Sequence, residues 1–253
     1  MLKRRLGKTD IEVSVIGLGT VKFGRNQGVK YPQRFDLPSD AEIDVLLQTA
    51  HELGINLLDT APAYGTSEER LGKALRGQRQ QWVISTKVGE EFVDGESQFD
   101  FSASAVKQSI ERSMQRLHTD YLDIVLVHSD GSDVRIIEEE YIFSQLAALK
   151  KEGKIRAFGM STKTREGGLL TVQLADLVMV AFNQSYTGER DVIALAHQQH
   201  KGVLVKKALE SGHVKTPVNE ALRFAATELG VTSVVVGTLN PLHLKENVRN
   251  MLL

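Results

Sequence analysis

Four residues of different acid–base type stand where apolar runs end: Asp59 after Ile55, Leu57 and Leu58, Tyr64 five residues on, Lys87 closing Trp82–Lys87, and His128 closing Asp123–His128. Carboxylate, phenol, ammonium and imidazole together make a proton-transfer set. A phenol, with an ordinary pKa of about 10, is a poor acid at neutral pH. A nearby Lys87 ammonium favours the phenolate, so the sequence predicts a lowered pKa for Tyr64. Asp59 is expected to orient Lys87, and His128 to share the proton or polarise a carbonyl. Each residue alone has a plainer reading. Asp59 caps a turn, Tyr64 packs beside Pro62, Lys87 is a solvated cation, and His128 is a satisfied core histidine. Their shared position at strand exits is what separates the set from four accidents.

The elements that must hold them alternate strand and helix. Apolar runs at Val15–Leu18, Ile55–Leu58, Trp82–Ser85, Leu122–Val127, Ile155–Gly159, Leu177–Ala181, Gly202–Val205 and Ser233–Val236 read as buried parallel strands. A hairpin, Leu2–Leu6 and Glu12–Val15 about a turn at Gly7–Asp10, precedes them. Between the strands, stripes at helical spacing recur: Ile43/Leu46/Leu47/Ala50/Leu53, Val106/Ile110/Met114/Leu117 and Ala221/Leu222/Ala225/Leu229. Ser39–Glu42 and Thr66–Glu69 have capping-box spacing, and Thr216-Pro217 and Asn240-Pro241 read as caps before a first-turn proline. Eight alternations in 253 residues favour a (β/α)8 barrel over an open sheet. Gly17-Leu-Gly19-Thr20-Val21-Lys22 lacks the third glycine of a dinucleotide fingerprint. One barrel domain over residues 1–253, with the hairpin capping its bottom, is the expectation.

Composition narrows the partners. Net charge is −1, which gives no global pull toward nucleic acid. No apolar run reaches membrane-spanning length, and Asp10 and Glu12 interrupt any leader behind Lys3-Arg4-Arg5, so the chain reads as cytoplasmic. There is no cysteine, which removes thiolate chemistry and disulfides. His197 and His200 have no evident carboxylate partner, and no metal site is expected.

In order and spacing, Gly17-Leu-Gly-Thr20, Asp59–Gly72, Ser85-Thr-Lys87, Asp120–His128, Gly153–Ser161 and Gly237-Thr238 through Glu246-Asn247 resemble the aldo-keto reductase family over nearly the whole chain. The resemblance implies a TIM barrel that reduces an aldehyde or ketone with NADP(H), NAD(H) being the alternative, with Asp59, Tyr64, Lys87 and His128 catalytic. It also implies a cofactor lying across the mouth. Gly19 and Thr20 would border nicotinamide and ribose, Ser161 would meet the carboxamide, and Gly237, Thr238, Glu246 and Asn247 the adenosine end. Three departures bear on that site. Met179 replaces a common Gln clamp and has no comparable donor. Lys206, followed by Lys207, stands where relatives place an aromatic, and is expected to meet the pyrophosphate or solvent. His243 and Thr238 are left as the anion partners where relatives offer Arg or Lys.

Relatives also carry a C-terminal loop over the substrate, whereas this sequence stops at Leu253, so an open mouth is expected. Phe23, Tyr31, Phe92 and Phe99 are candidate substrate walls, and Arg25, Lys30 and Arg34 suit a polar or anionic substrate. Beside the reductase reading stands a cofactor-binding sensor on the same fold with vestigial catalysis, suggested by Met179. Non-redox hydrolysis lacks a metal or a second carboxylate in the sequence. Substrate identity lies in loops that vary freely on a fixed barrel, and oligomeric state has no sequence signal.

Overall fold

A computed structural model describes residues 1–252. An antiparallel hairpin, β1 (Lys3–Arg5) and β2 (Glu12–Ser14), comes first. The parallel strands begin with β3 (Ile16–Gly19), β4 (Leu57–Asp59) and β5 (Val83–Val88). A second antiparallel hairpin, β6 (Glu90–Val93) and β7 (Glu96–Phe99), then intervenes. The parallel set resumes with β8 (Leu122–His128), β9 (Ile155–Ser161), β10 (Leu177–Ala181), β11 (Gly202–Lys206) and β12 (Ser233–Val236). These eight strands pair in sequence order, and β12 returns to β3 with Val234 opposite Ile16, closing the barrel. All eight expected strands form, most extended by one to three residues at the carboxyl end.

Alternation along each strand splits the core in two. Leu57, Val83, Ile124, Leu126, Ala157, Leu177, Met179 and Leu204 point into the barrel, where Leu6, Ile11 and Val13 of the first hairpin join them. That hairpin thus plugs the bottom with three buried aliphatic side chains. Leu18, Leu58, Ile84, Val125, Val127, Phe158, Val178, Val203 and their neighbours face outward onto the helices.

The helices run in chain order as α1 (Val21–Gly24), α2 (Asp40–Glu52), α3 (Ser67–Ala74), α4 (Ala103–Arg116), α5 (Asp133–Glu138), α6 (Ile142–Lys151), α7 (Arg165–Leu174), α8 (Arg190–Gln198), α9 (Val218–Thr227) and α10 (Pro241–Leu252). Ser39 and Glu42 form the expected reciprocal cap on α2. Asn240 accepts from the amide of Leu242 at 2.9 Å, capping α10. Three local expectations fail. Thr66 stands at the N-cap of α3 but makes no side-chain cap: its backbone, at φ −85° and ψ 9°, lacks the extended conformation a cap takes, and the Ser67 hydroxyl is turned inward onto Thr20 and Thr60. Thr216 donates to Gln184 instead of capping α9. Leu229 leaves its stripe: α9 stops at Thr227, and Leu229 is exposed.

The β6–β7 hairpin has no counterpart among the strands expected from apolar runs. Its turn is Asp94-Gly95, both at positive φ (52° and 88°), the conformation that two-residue hairpins require. No helix among the described residues is long and apolar enough to cross a membrane.

Candidate active site

Asp59 ends β4 directly opposite Ser85 of β5. Lys87 lies two residues further on, and so on the same face. The Lys87 ammonium donates to Asp59 Oδ1 at 2.8 Å and to the Thr60 carbonyl at 2.8 Å. Ser85 Oγ donates to the same Oδ1 at 3.0 Å. Both charged side chains are buried, a costly placement that holds because each is paired and hydrogen-bonded.

Tyr64 ends a 3-10 turn, Pro62–Tyr64, immediately after β4. Two glycines fix that turn by close approach. A Cβ on Gly24 would lie 2.4 Å from the Tyr64 carbonyl oxygen, and one on Gly65, at φ +60°, would lie 2.2 Å from the Gly24 oxygen. The Lys87 nitrogen sits 5.1 Å from the Tyr64 ring centre, and His128 packs edge-on to that ring at 6.2 Å. Asp59, Tyr64, Lys87 and His128 therefore converge as expected.

Their electrostatics depart from expectation. Burial, and then the Asp59 and Glu90 carboxylates, push the Tyr64 phenol well above its usual range, with Arg25 opposing. The Lys87 charge lies against Asp59, so the phenol meets an ion pair and a second carboxylate in place of a lone cation. In this arrangement Tyr64 is held protonated, not acidified.

That second carboxylate, Glu90, has no place among the acid–base residues picked out by sequence. Its Oε2 lies 2.6 Å from His128 Nδ1, and Ser97 of β7 donates to its Oε1 at 2.6 Å. Burial pushes the Glu90 carboxyl up, but His128, Ser97 and Arg25 outweigh it and bring the carboxyl down to about 2. Burial lowers the His128 pKa, Lys87 and Lys206 add to that, and Glu90 opposes; the ring is neutral at pH 7. The available sequence signal is Asp94-Gly95, which folds Glu90 and Ser97 together.

All four converging residues line a cavity of about 630 Å3 at the carboxyl ends of the strands. Gly19, Thr20, Ser161, Met179, Lys206 and Gly237 line it as well. The Thr20 hydroxyl, however, is turned into the framework, donating to the Asp59 carbonyl at 3.0 Å. Lys206 faces inward, donating to Ser161 Oγ at 2.8 Å and the Thr162 carbonyl at 2.7 Å, while Lys207 beside it is exposed. Thr238, His243, Glu246 and Asn247 lie outside the cavity on the last strand–helix turn and α10, where Thr238 Oγ1 accepts from the Asn240 amide. Of the suggested substrate walls, Tyr31, Phe99, Arg25 and Lys30 line the cavity. Phe23 is fully buried core, Phe92 lies under the Arg25 guanidinium at 3.5 Å, and Arg34 is off the cavity.

A nicotinamide ring needs a narrow slot, an apolar wall and a polar group for its carboxamide. Gly237 stands exposed at the mouth, where a Cβ would come within 3.1 Å of the Tyr31 hydroxyl, so glycine keeps such a slot open. Ser161 adds a hydroxyl and Met179 an apolar wall. The inner half of the expected cofactor set fits.

Comparison with known proteins gives one consistent answer. The Aldo/keto reductase family profile matches residues 15–184. A crystal structure of a provisionally assigned aldo-keto reductase from Pseudomonas aeruginosa superimposes with a TM-score of 0.91 at 51% identity, covering 98% of this chain and 93% of that one. The chain is 32% identical over 228 residues to an NADH-specific methylglyoxal reductase of Escherichia coli, covering 84% of this chain and 68% of the enzyme. It is 36% identical over 165 residues to L-galactose dehydrogenase of Arabidopsis thaliana, covering 62% of this chain and 47% of that enzyme. The chain spans about half the length of several curated relatives it matches.

Proposed function

The chain belongs to the aldo/keto reductase family, and from that premise we propose that it reversibly reduces a small aldehyde or ketone to the alcohol, with Tyr64 as the proton donor. One observation carries the reading: the buried Lys87–Asp59 pair at 2.8 Å with the Tyr64 ring 5.1 Å from the ammonium, on the wall of the cavity. A bound nicotinamide cofactor, NADP(H) or NAD(H), supplies hydride to the carbonyl carbon. The protein's task is the oxygen. As negative charge grows there, the protonated Tyr64 phenol donates, and the nearby Lys87 ammonium stabilises the phenolate that remains. Asp59 fixes the ammonium in place. With its Nδ1 proton on the Glu90 side, the neutral His128 ring offers Nε2 as an acceptor. It then orients the phenol or the product hydroxyl and does not polarise the carbonyl.

The Ser161 hydroxyl and the slot at Gly19 and Gly237 would hold the nicotinamide end. Thr238, His243, Glu246 and Asn247 would meet the adenosine end. The whole chain is read as one catalytic unit, acting in the cytoplasm on small molecules, with no nucleic-acid or membrane partner. Fluorescence titration with NADPH and NADH side by side, followed by a panel of small aldehydes and ketones, tests the proposal. Saturable binding of one or both, and turnover with an aldehyde, are expected. No binding of either cofactor together with no turnover would end it.

A cofactor-binding sensor is the second reading, favoured by Lys206 engaging the Ser161 hydroxyl. Rapid single-turnover oxidation of bound NADPH by an aldehyde, with ordinary turnover after it, would eliminate that reading.

A further inference from the structure

Of the lysines that line the cavity, Lys87 on β5 and Lys206 on β11 reach it from opposite sides of the barrel, and their partners differ in kind. Lys87 is ion-paired with Asp59. Lys206 has two hydrogen-bond partners among the described residues, the Ser161 hydroxyl oxygen and the Thr162 carbonyl oxygen, and no ion pair. An uncharged amine has two N–H donors and one lone pair. Two neutral acceptors therefore satisfy the amine in full and leave its lone pair unshared.

We propose that the Lys206 amine, set in the cavity wall between Ser161 and Thr162, captures small unhindered aldehydes as a reversible Schiff base. The nitrogen lone pair forms a bond to the carbonyl carbon, giving a carbinolamine. The Ser161 hydroxyl, 2.8 Å from the nitrogen, relays both amine protons in turn to the former carbonyl oxygen, the first forming the carbinolamine hydroxyl and the second completing the departing water. That oxygen departs as water as the C=N bond forms, and water returning along the same route releases the aldehyde. No oxidant or reductant is consumed. The site goes beyond hydride transfer, since it binds carbonyl compounds without a cofactor and at a different wall of the cavity from Tyr64.

The surroundings suit a nucleophilic amine. Burial, then Lys207, and also Lys87, lower the Lys206 pKa to about 7, while Glu189 and Asp133 oppose. The Glu189 carboxyl is itself raised by burial and is occupied by the Thr162 hydroxyl and the Ala181 amide. His128, another group affected by Lys206, is neutral at pH 7. Nucleophilic lysines elsewhere are activated in this way, by desolvation or by a second cation.

Cofactor-free protein incubated with glyceraldehyde and sodium cyanoborohydride, then digested and mapped by mass spectrometry, tests the site. At pH 7 the reduced adduct should appear at Lys206 at least roughly tenfold faster than at exposed lysines such as Lys8 and Lys245. The Lys206 rate should rise through pH 7 and level off. Because the wild-type chain is mapped, no variant has to fold. Lys206 unlabelled, or labelled no faster than the exposed lysines, would overturn the proposal. Neither result touches cofactor binding or turnover, so the reductase reading stands or falls separately.

Discussion

The two ends of the barrel share one device for buried charge, the ion pair, and differ in what surrounds it. At the floor, Asp123 near the start of β8 receives Arg79 at 2.7 Å, Arg156 at 2.6 Å and the Ile84 amide at 3.0 Å. Its carboxylate is matched on every side, with nothing left over for a ligand. At the mouth, Lys206 has only neutral partners, His128 is a neutral ring beside a carboxylate, and the Tyr64 phenol keeps its proton among carboxylates. Burial raises the cost of a charge at either end. The floor meets that cost with counter-charges, which yields rigidity. The mouth has one such pair, Lys87 with Asp59, but around it holds the Tyr64 phenol, the His128 ring and the Lys206 amine near or at neutrality, which leaves them able to exchange protons with whatever enters. Perturbed ionisation in a cleft is therefore a better guide to the working end of this fold than the number of charges present.

The contrast can be broken from either end. Tyr64→Phe should lose about 10²- to 10⁴-fold in turnover, the usual worth of a positioned general acid, while cofactor titrations stay within about twofold; an unchanged rate would remove Tyr64 from the chemistry. At the floor, Asp123→Ala leaves two guanidinium groups facing a buried gap and should cost about 3–5 kcal/mol in denaturant unfolding, with cofactor affinity retained in the folded fraction. A loss below about 1 kcal/mol would mean that the floor pairs are not structural.

Glu90→Gln sharpens the mouth side. The folded Glu90 carboxyl, at about 2, lies below its unfolded value, so its stabilisation is present above about pH 4.5 and lost as pH falls toward 2. The variant should flatten that stretch of the acid-unfolding curve; matching curves for the two proteins would show the His128–Glu90 pairing to be inconsequential. Smallest of all, Arg156→Gln should cost at most about 1 kcal/mol. The Arg156 side chain is 35% exposed, and Arg79 still holds Asp123. A larger loss would mean that the floor network behaves as one unit.

Much of the architecture is legible in the residues themselves. The eight strands announce themselves because each is apolar on both faces, and strand exits in a barrel point to one mouth, so Asp59, Lys87 and His128 can be placed together from spacing alone. What escapes depends on the third dimension. Residues 90–99 are mostly exposed or half-buried and lack a buried alternating face, so only Asp94-Gly95 hints at β6 and β7. Without that fold-back, Glu90 has no reason to meet His128. Thr66 has the right type and the right place for a cap, but after the turn made by Gly24 and Gly65 its backbone is not in the extended conformation a cap takes. The sign of the Tyr64 shift needs distances, since a lysine near a phenol lowers its pKa only when no carboxylate has taken the lysine's charge first. Likewise, nothing in the order Lys206-Lys207 says that the first is held against Ser161 and Thr162 while the second stays exposed at the cavity's rim.

The β6–β7 ribbon lies outside the barrel ladder, tied to the barrel through Glu90 with His128 and to α4 through Glu91 with Arg112, and contributes Glu90, Ser97 and Phe99 to one wall of the cavity. Its register is set by its own four cross-strand pairs, independent of the barrel ladder. Recutting the ribbon's outer residues would change which molecules are admitted, whereas replacing Glu90 or Ser97 would reach His128 and Tyr64 as well, even though Asp59 and Lys87 stay on their own strands.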